Sequence, residues 1–477
     1  MKRYKEILLD RDSKVHLYIQ LANGIEQMIV GGELTEKDKL PPIRKLAEAL
    51  DVNTVTIVNA YKHLEQKGRV FKKLGSGTFV VPLDSEVTFD EERPLANSLG
   101  FDFSLTSPTG NLFPVQAFKK AINGVLDSEG GSAFSYQESR GYEALREAIT
   151  EYLQEYEIQT TASEIQIISG AQQGIDIVTK SILEYGDYIL VESPTYAGAI
   201  ATFRSKGLNI IEIPIQRNGI NFENLESIAK RFKPKLFYTM PNFQNPTGYT
   251  YSDDEKKRLL EFSKTYDFFI LEDDYATELN FSTETIHSIK AIDDLDQVIY
   301  IKSFSKIFMP GLRLGFMISP KRIANKVILA KHTTDISTSG LIQRAFCWYL
   351  NTGDWKHQIS KIRLIMGNRS KVTIEALKRY MPKEVIYEIP KGGINIWLKL
   401  PETMDASKLE LLAKERGVFI VAGDAFYASK SMTNDFRVSV AAISKDRIDE
   451  GIKLLAECVQ TLIDSEADQT LEKMKTI

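Results

Sequence analysis

The chain has 477 residues, of which 43% are hydrophobic and 26% are charged, which is the composition of a globular protein with two or three domains rather than of a disordered one. Its formal net charge of −4 argues against a protein that coats nucleic acid along its whole surface. Two distant cysteines and five histidines without ligand spacing support neither a disulfide framework nor a metal site. We find no apolar run long enough for a membrane helix or signal core, so we expect a cytoplasmic protein.

Residues 1–81 differ from the rest in charge and pattern. They hold 14 Lys and Arg against 10 Asp and Glu, a local charge of +4. Apolar residues at intervals of three and four predict a helix from Leu17 to Val30, a short helix after Pro42 with Ile43 on its apolar face, and a third helix after the turn at Asp51. Residues 69–81 then predict two short strands around a glycine turn. Three helices followed by a hairpin are typical of a winged helix-turn-helix.

The third predicted helix presents a polar face that suits DNA. With its apolar side turned inward, the opposite side carries Asn53, Thr54, Val55, Thr56, Val58, Asn59, Lys62 and His63. Amides and hydroxyls can hydrogen-bond base edges, and valine can contact a thymine methyl group. The alternative, that these residues are merely the solvated side of a small helical bundle, leaves two exposed valines without a reason.

The segment from Leu40 to Ala47, together with the third helix and the run from Gly75 to Val80, resembles the winged helix-turn-helix of GntR-type bacterial regulators. It departs from that family at Pro42, Asn53, Thr54 and Val58, where the family commonly has serines and arginines. The resemblance implies binding to double-stranded operator DNA. The phosphate contacts it implies come from Arg44, Thr56 and the wing residues Lys72, Lys73, Ser76 and Thr78.

Residues 82–98 are polar, acidic and without periodic apolar positions, which predicts a linker between residues 1–81 and a second region at 99–477. Strand candidates in that region alternate with helical patterns, and this predicts an α/β fold with a mainly parallel sheet. The candidates are Ile165–Ile168, Tyr188–Val191, Ile210–Ile213, Leu236–Thr239, Phe268–Leu271 and Val298–Ile301. Ligands of such sheets gather beyond the carboxyl ends of the strands.

The predicted strand ends carry polar chemistry. A glycine turn at Gly170 opens a helix, whose free N–H groups suit a phosphate. Later ends supply an aromatic ring at Tyr196, an amide at Asn245 and a carboxylate at Asp273. Each feature alone is usually plain loop chemistry, but their occurrence at successive strand ends predicts one shared site.

The stretch from Ser303 to Gly315 is the most informative of these ends. It places Lys306 among two serines and Arg313, directly after an apolar strand. Neighbouring positive charge favours loss of the lysine proton, and a neutral lysine beside an anion cradle suits a Schiff base with pyridoxal phosphate. A lone surface lysine would be the simpler interpretation if the other strand ends were not present.

From about Phe103 to about Val459 the motifs Asn245-Pro246-Thr247-Gly248 and Ser303-x-Ser305-Lys306 resemble fold-type I, class I and II aminotransferases. The resemblance implies that Lys306 binds the cofactor and moves protons, while Asp273 keeps the pyridine nitrogen protonated. Asn245 and Tyr275 would bond the ring hydroxyl, and Tyr196 would stack on the ring. The phosphate would be held by Gly170, Ala171, Gln172, Ser303, Ser305 and Arg313.

The same resemblance adds two further residues. Tyr136 matches a tyrosine that reaches the phosphate of the neighbouring subunit, so a head-to-tail homodimer is implied. Arg437 would bind the α-carboxylate of an amino acid, because a planar guanidinium can donate two parallel hydrogen bonds to a carboxylate and a lysine amine cannot. The alternative is that Arg437 forms a salt bridge at a strand end. The resemblance also implies a large domain at about 99–325 and a C-terminal helix with a small α/β domain at about 326–477.

The combination of both resemblances is that of the MocR/GabR family of bacterial transcription regulators, over nearly the full chain. We therefore expect a regulator that holds pyridoxal phosphate and senses an amino acid or related amine. Two alternatives stay open. The chain can be a working aminotransferase with a DNA-binding arm, because the catalytic residue types are present, or a structural relative that no longer binds the cofactor.

Overall fold

The computed structural model describes residues 4, 7, 9–11, 13, 15–30, 33–35, 38–66, 69–73, 77–80, 100–216, 219–429 and 432–475. The chain divides into two compact units, Met1–Asn97 and Ser98–Ile477. The predicted linker at 82–98 and the wing residue Ser76 lie outside the described residues. Among the residues that are described, no helix has both the length and the apolar character needed to cross a bilayer.

Within the described residues of the first unit there are three helices and a two-stranded hairpin, as the periodicity predicts. The helices are α1 (Leu17–Val30), α2 (Ile43–Leu50) and α3 (Thr54–Gln66), and the antiparallel strands are β1 (Val70–Lys73) and β2 (Gly77–Val80). The αL conformation of Asp51 ends α2 and turns the chain toward α3. Leu21, Ile25, Ile57 and Leu64 are fully buried between the helices. Ile43, which the pattern places on the buried face of α2, is exposed instead, because it occupies the first helical turn.

The second unit is built on an eight-stranded sheet in the order β4-β11-β10-β9-β8-β5-β6-β7. Its strands are β4 (Ile165–Ile168), β5 (Tyr188–Ser193), β6 (Asn209–Gln216), β7 (Gly219–Ile220), β8 (Leu236–Thr239), β9 (Phe269–Asp274), β10 (Val298–Ser303) and β11 (Gly315–Ile318). Strands β5, β6, β8, β9 and β10 pair in parallel, and β11 and β7 pair antiparallel to their neighbours. The predicted mainly parallel sheet is therefore confirmed.

Helices surround this sheet and continue beyond it. They are α4 (Val115–Glu129), α5 (Glu143–Gln154), α6 (Ala171–Ile182), α7 (Ala197–Ser205), α8 (Phe222–Phe232), α9 (Asp253–Thr265), α10 (Ala324–Asp335), α11 (Gly340–Asn351) and α12 (Asp354–Tyr380). Strands β8 and β10 are buried along their whole length, as expected for a sheet covered on both faces. The apolar runs of these two strands are the reason that they can be predicted from the sequence.

A second, four-stranded antiparallel sheet follows in the order β12-β13-β16-β15. Its strands are β12 (Ile386–Tyr387), β13 (Asn395–Lys399), β15 (Val421–Ala422) and β16 (Asp435–Ser439), and its helices are α13 (Ala406–Glu415) and α14 (Lys445–Lys475). The early strand β3 (Phe101–Asp102) pairs in parallel with β14 (Val418–Phe419). This pairing brings the beginning of the second unit next to its end. As a result, residues near position 105 lie beside the strand ends of the large sheet.

Candidate functional site

The carboxyl ends of β5, β8, β9 and β10 surround a cavity of about 350 Å³, a volume suited to a small-molecule ligand. Most of the predicted cofactor and substrate residues line it: Ala171, Gln172, Tyr196, Asn245, Asp273, Tyr275, Ser303, Ser305, Lys306, Arg313 and Arg437. Its remaining walls are Thr106, Ala197, Met240, Val421, Ala425 and Phe426. The fold thus brings together side chains that are far apart in the sequence; Thr106 and Arg437, for example, are 331 positions apart.

The amine of Lys306 lies in this cavity, and its hydrogen-bond partners among the described residues are hydroxyl groups. Its Nζ donates to Thr106 Oγ1 at 2.9 Å and to Ser107 Oγ at 3.5 Å. Burial, followed by the positive charges of Arg437 and Arg313, lowers the pKa of Lys306 to about 8, and Asp273 opposes the shift. This lysine is therefore neutral near physiological pH far more often than a solvated lysine is, and its neutral form can act as a nucleophile.

Asp273 faces the cavity with one carboxylate oxygen free. Oδ2 accepts a hydrogen bond from the hydroxyl of Tyr238 at 2.8 Å, and buried Oδ1 has no partner among the described residues. Burial raises the pKa of Asp273 to about 6, although the Tyr238 bond opposes the shift. A buried acceptor without a donor is costly, so this oxygen is suited to a cationic N–H group of a ligand.

Asn245 and Tyr275 are held on the opposite side by a short network. The hydroxyl of Tyr275 donates to the carbonyl of Phe243 and accepts from Asn395 Nδ2 at 3.2 Å. Asn245 Oδ1 accepts from Asn395 Nδ2 at 3.3 Å and from Arg437 at 3.0 Å. Because both bonds reach Oδ1, the amide nitrogen of Asn245 is the group left for a ligand.

Arg437 projects from β16 into the cavity and is almost fully buried. Its guanidinium donates to the Ser104 carbonyl at 2.7 Å and lies 5.0 Å from the ring centre of Phe426. Burial lowers the pKa of Arg437 to about 10. Nε has no partner among the described residues, so this buried guanidinium keeps an unused donor that suits a carboxylate.

The opposite end of the cavity is a cradle for an anion. Gly170 precedes α6 with φ 90°, a backbone conformation that favours glycine, and a Cβ at this position would lie 2.5 Å from the guanidinium of Arg313. Arg313 donates to the Ser169 carbonyl at 2.9 Å and to Ser305 Oγ at 3.5 Å. Together with the free N–H groups at the start of α6, these donors suit a phosphate.

Tyr136 does not reach the cavity of its own chain. It precedes α5 on the surface of the second unit, with 87% of its side chain exposed. The exposed position is compatible with the predicted contact to a partner subunit, which stays a prediction.

Several residues of the site escaped the sequence reasoning. Thr106 and Ser107 bind the lysine amine from a loop about 200 positions earlier, and Asn395 reaches Tyr275 from the second sheet. Tyr238 belongs to β8, whose apolar sequence is typical of a buried core strand. Only Tyr238 carries a local signal, because a hydroxyl on a fully buried strand needs a partner.

The candidate DNA surface belongs to the first unit. Val55 and Val58 are 60% and 45% exposed, whereas Ile57 between them is fully buried. The predicted contacts Arg44, Asn53, Thr54, Asn59 and Lys62 are exposed, and Thr56, His63 and Thr78 are half-buried. Asn53 Oδ1 accepts from the Val55 N–H at 2.9 Å, so this side chain already caps α3. Lys72 and Lys73 lie on β1, and their side chains are outside the described structure.

Two family models match the chain, one for each unit. Residues 17–80 match the bacterial regulatory proteins of the gntR family, and residues 104–455 match the class I and II aminotransferases. The HTH-type transcriptional regulator YdfD of Bacillus subtilis is 28% identical over 94% of this chain and 97% of its own length. The probable rhizopine catabolism regulatory protein MocR of Rhizobium meliloti is 24% identical over 97% of both chains.

Solved structures match the second unit. LysN, the α-aminoadipate aminotransferase of Thermus thermophilus complexed with N-(5′-phosphopyridoxyl)-L-leucine, is 32% identical, with a TM-score of 0.73 over 76% of this chain and 93% of that one. The fold is therefore that of a fold-type I aminotransferase preceded by a winged helix-turn-helix. This chain belongs to the class I and II aminotransferase family and, because a GntR-type DNA-binding domain precedes that domain, it is a regulator of the MocR type.

Proposed function

We propose that the cavity binds pyridoxal 5′-phosphate covalently through Lys306. The single observation that carries the proposal is the pairing of a lysine amine of lowered pKa with the unpaired Oδ1 of Asp273 across one cavity. When bound, this cofactor supplies an aldehyde to which amines add and a ring that withdraws electrons from them. Asp273 would hold the proton of the ring nitrogen, and Tyr196 would cover the ring face.

Different residues of the cavity would bind the phosphate and the ring hydroxyl of the cofactor. Gly170, Ser303, Ser305 and Arg313 would hold the phosphate, helped by Ala171 and Gln172 at the start of α6. Asn245 and Tyr275 would bond the ring hydroxyl. Tyr136 would complete the phosphate site of a partner subunit in a head-to-tail homodimer, because it cannot serve its own cavity from an exposed position.

The ligand that the protein senses would be an amino acid or related amine with a carboxylate. Arg437 offers a desolvated guanidinium with an unused Nε at one side of the cavity, and Lys306 marks where the amine reacts. The ligand can control DNA binding only if it favours one arrangement of the protein over another. A difference of about 1.4 kcal/mol would change operator affinity tenfold.

A second candidate function is sustained transamination. It is favoured by the presence of Lys306, Asp273, Tyr275, Arg313 and Arg437 in one cavity and by the similarity to an α-aminoadipate aminotransferase. Prolonged turnover of an amino acid with a keto acid would establish the enzyme. A spectral change that stops after one equivalent would establish the sensor.

The test of cofactor binding is absorbance spectroscopy on the purified full chain. We expect a visible band with pyridoxal phosphate and, after borohydride reduction, a stable mass increase on the peptide that contains Lys306. Amino acids and simple amines should then shift the band. A normal band and label in Lys306→Ala would contradict the proposal, as would the absence of both in the unchanged protein.

Operator binding is tested separately on the first unit's surface, because it does not depend on the cofactor. Asn59→Ala should change the preference between operator sequences by about 1–3 kcal/mol, since a base-reading amide is lost. Equal weakening on every DNA would contradict that role. Arg44→Ala, on α2, is the control, because loss of one phosphate contact should weaken binding to all sequences alike.

Removing the charges of Lys72 and Lys73 tests the wing. If both contact phosphates, the slope of log K against log salt concentration should become shallower by roughly 2, because fewer counterions are released. An unchanged slope would exclude phosphate contact by the wing.

A further inference from the structure

Two polar residues outside the cavity connect the turns that carry Tyr196 and Asn245. Glu192 is the penultimate residue of β5, shortly before the turn that carries Tyr196, and Gln244 precedes Asn245. Both are completely buried, and neither lines the cavity. Their contacts explain how two turns from different strands keep a fixed spacing.

The Glu192 carboxylate is satisfied by neutral donors. Oε1 accepts from Thr239 Oγ1 at 2.5 Å, from the Met240 N–H at 3.0 Å and from the Tyr251 hydroxyl at 2.7 Å. Oε2 accepts from Gln244 Nε2 at 3.0 Å. The carboxylate therefore hydrogen-bonds both the end of β8 and the segment that follows it.

Gln244 extends this network into both turns. Its Nε2 also donates to the carbonyl of Pro194 at 2.7 Å, within the Tyr196 turn. Its Oε1 accepts from the N–H of Thr247 at 2.9 Å and from its hydroxyl at 2.7 Å, which closes the turn containing Asn245. One buried amide thus bonds the segments on both sides of the cavity.

We propose that Glu192 and Gln244 are positioning residues that set the places of Tyr196 and Asn245 in the cavity. The proposal rests on the proposed binding of pyridoxal phosphate, and its structural part can be tested without that cofactor. The reason is geometric, because hydrogen bonds donated to a buried carboxylate are directional, and a site group displaced by about 1 Å loses much of its effect.

The first variant is Glu192→Gln. Its amide oxygen can replace Oε1, but its NH2 group would then face the NH2 group of Gln244, and the bond between them is lost. We expect the affinity for pyridoxal phosphate to fall roughly tenfold. Crystals of the cofactor-free variant should show Asn245 or Tyr196 displaced by more than about 0.5 Å.

The second variant, Gln244→Met, removes the link without changing charge. The amide of Asn245 is expected to stabilise a negative ring oxygen, so its displacement should raise the pH at which the visible band titrates. A merely structural role would lower stability and leave this pH unchanged.

The matched control is Glu272→Gln, which also changes a completely buried carboxylate in the second half of a strand, β9. Glu272 accepts from the backbone N–H groups of Ile289 and Lys290, which lie outside the cavity. Its variant should bind pyridoxal phosphate as the unchanged protein does.

Equal losses of cofactor affinity in Glu192→Gln and Glu272→Gln would overturn the proposal, as would an unmoved Asn245 and Tyr196 in both network variants. If the unchanged protein gives no visible band, the proposed function fails. The crystal comparison then still decides whether the two residues hold the turns.

Discussion

Lys302 and Lys306 are four residues apart, at the end of β10 and in the turn that follows, yet their surroundings are opposite. Lys302 is fully buried and bonds two carboxylates, Asp274 Oδ1 at 3.0 Å and Glu278 Oε2 at 2.6 Å. Burial lowers the pKa of Lys302, but the two carboxylates outweigh it and the pKa is raised. Lys306 has hydroxyl partners and two nearby arginines, and its pKa is lowered to about 8.

The carboxylates beside these lysines repeat the contrast. Asp274 is bonded by Lys302, by the Tyr300 hydroxyl at 2.6 Å and by the Thr277 N–H at 3.1 Å. Asp273, its neighbour on β9, keeps one buried oxygen without a partner in the part of the chain that the structure describes. We call Lys302, Asp274 and Glu278 the closed cluster, and the cavity with Lys306 and Asp273 the open site. Both use residues of β9 and of β10 or the turn that follows it. The unpaired polar groups, rather than the charges as such, identify the open site as the functional one.

The largest expected effect is on the closed cluster. Lys302→Met keeps the side-chain volume but leaves Asp274 and Glu278 without their cation, so the free energy of unfolding should fall by about 3–5 kcal/mol. Urea titration followed by tryptophan fluorescence measures this, because all three tryptophans belong to the second unit. A loss below about 1 kcal/mol would show that the cluster contributes little.

This contrast also shows what could be predicted from the sequence. The open site follows strand ends with glycine, proline and hydroxyl residues, so Lys306, Asp273 and Asn245 stand out. Lys302 follows directly on a buried apolar run and has no local signal. Its two partners become visible only when β9 and β10 are paired, with Lys302 opposite Asp274.

The same reason limits the rest of the fold and site. Helices α1 and α3 and the buried strands of the large sheet could be predicted because each has its own periodicity. Thr106 reaches the cavity because β3 pairs with β14, a contact between residues more than 300 positions apart. Ile43 was misplaced because exposure in a first helical turn depends on how the neighbouring segments pack.

The second prediction concerns the pH dependence of the open site. Only a neutral amine attacks an aldehyde, so capture of pyridoxal phosphate by cofactor-free protein should accelerate as pH rises, with a midpoint near 8. A solvated lysine would give a midpoint at a pH of about 10.4. In Arg437→Gln the midpoint should rise by about 1 pH unit, because a positive neighbour is removed.

Stopped-flow absorbance at a series of pH values measures the rate, and Arg379→Gln, an exposed arginine of α12, serves as control. A midpoint that does not move in Arg437→Gln would show that the charge of Arg437 does not lower the pKa of Lys306.

A matched tyrosine pair gives a smaller effect. Tyr300→Phe removes the hydrogen bond to Asp274, and stability should fall by about 2 kcal/mol because the acceptor is a buried charge. Tyr238→Phe removes the corresponding bond to Asp273, whose pKa should rise further above about 6. Binding of pyridoxal phosphate should then be lost at a higher pH as the solution is acidified. Equal pH profiles for Tyr238→Phe and Tyr300→Phe would contradict the distinction between the two aspartates.

The smallest expected change in stability comes from Lys306→Met, the same substitution as in the first prediction. This lysine has no bonded carboxylate and faces two arginines, so its removal relieves repulsion, and the free energy of unfolding should change by less than about 1 kcal/mol. Capture of pyridoxal phosphate and labelling by borohydride should disappear, as measured by absorbance and peptide mass. A destabilisation as large as that of Lys302→Met would mean that both lysines support the fold, and the contrast between closed cluster and open site would be wrong.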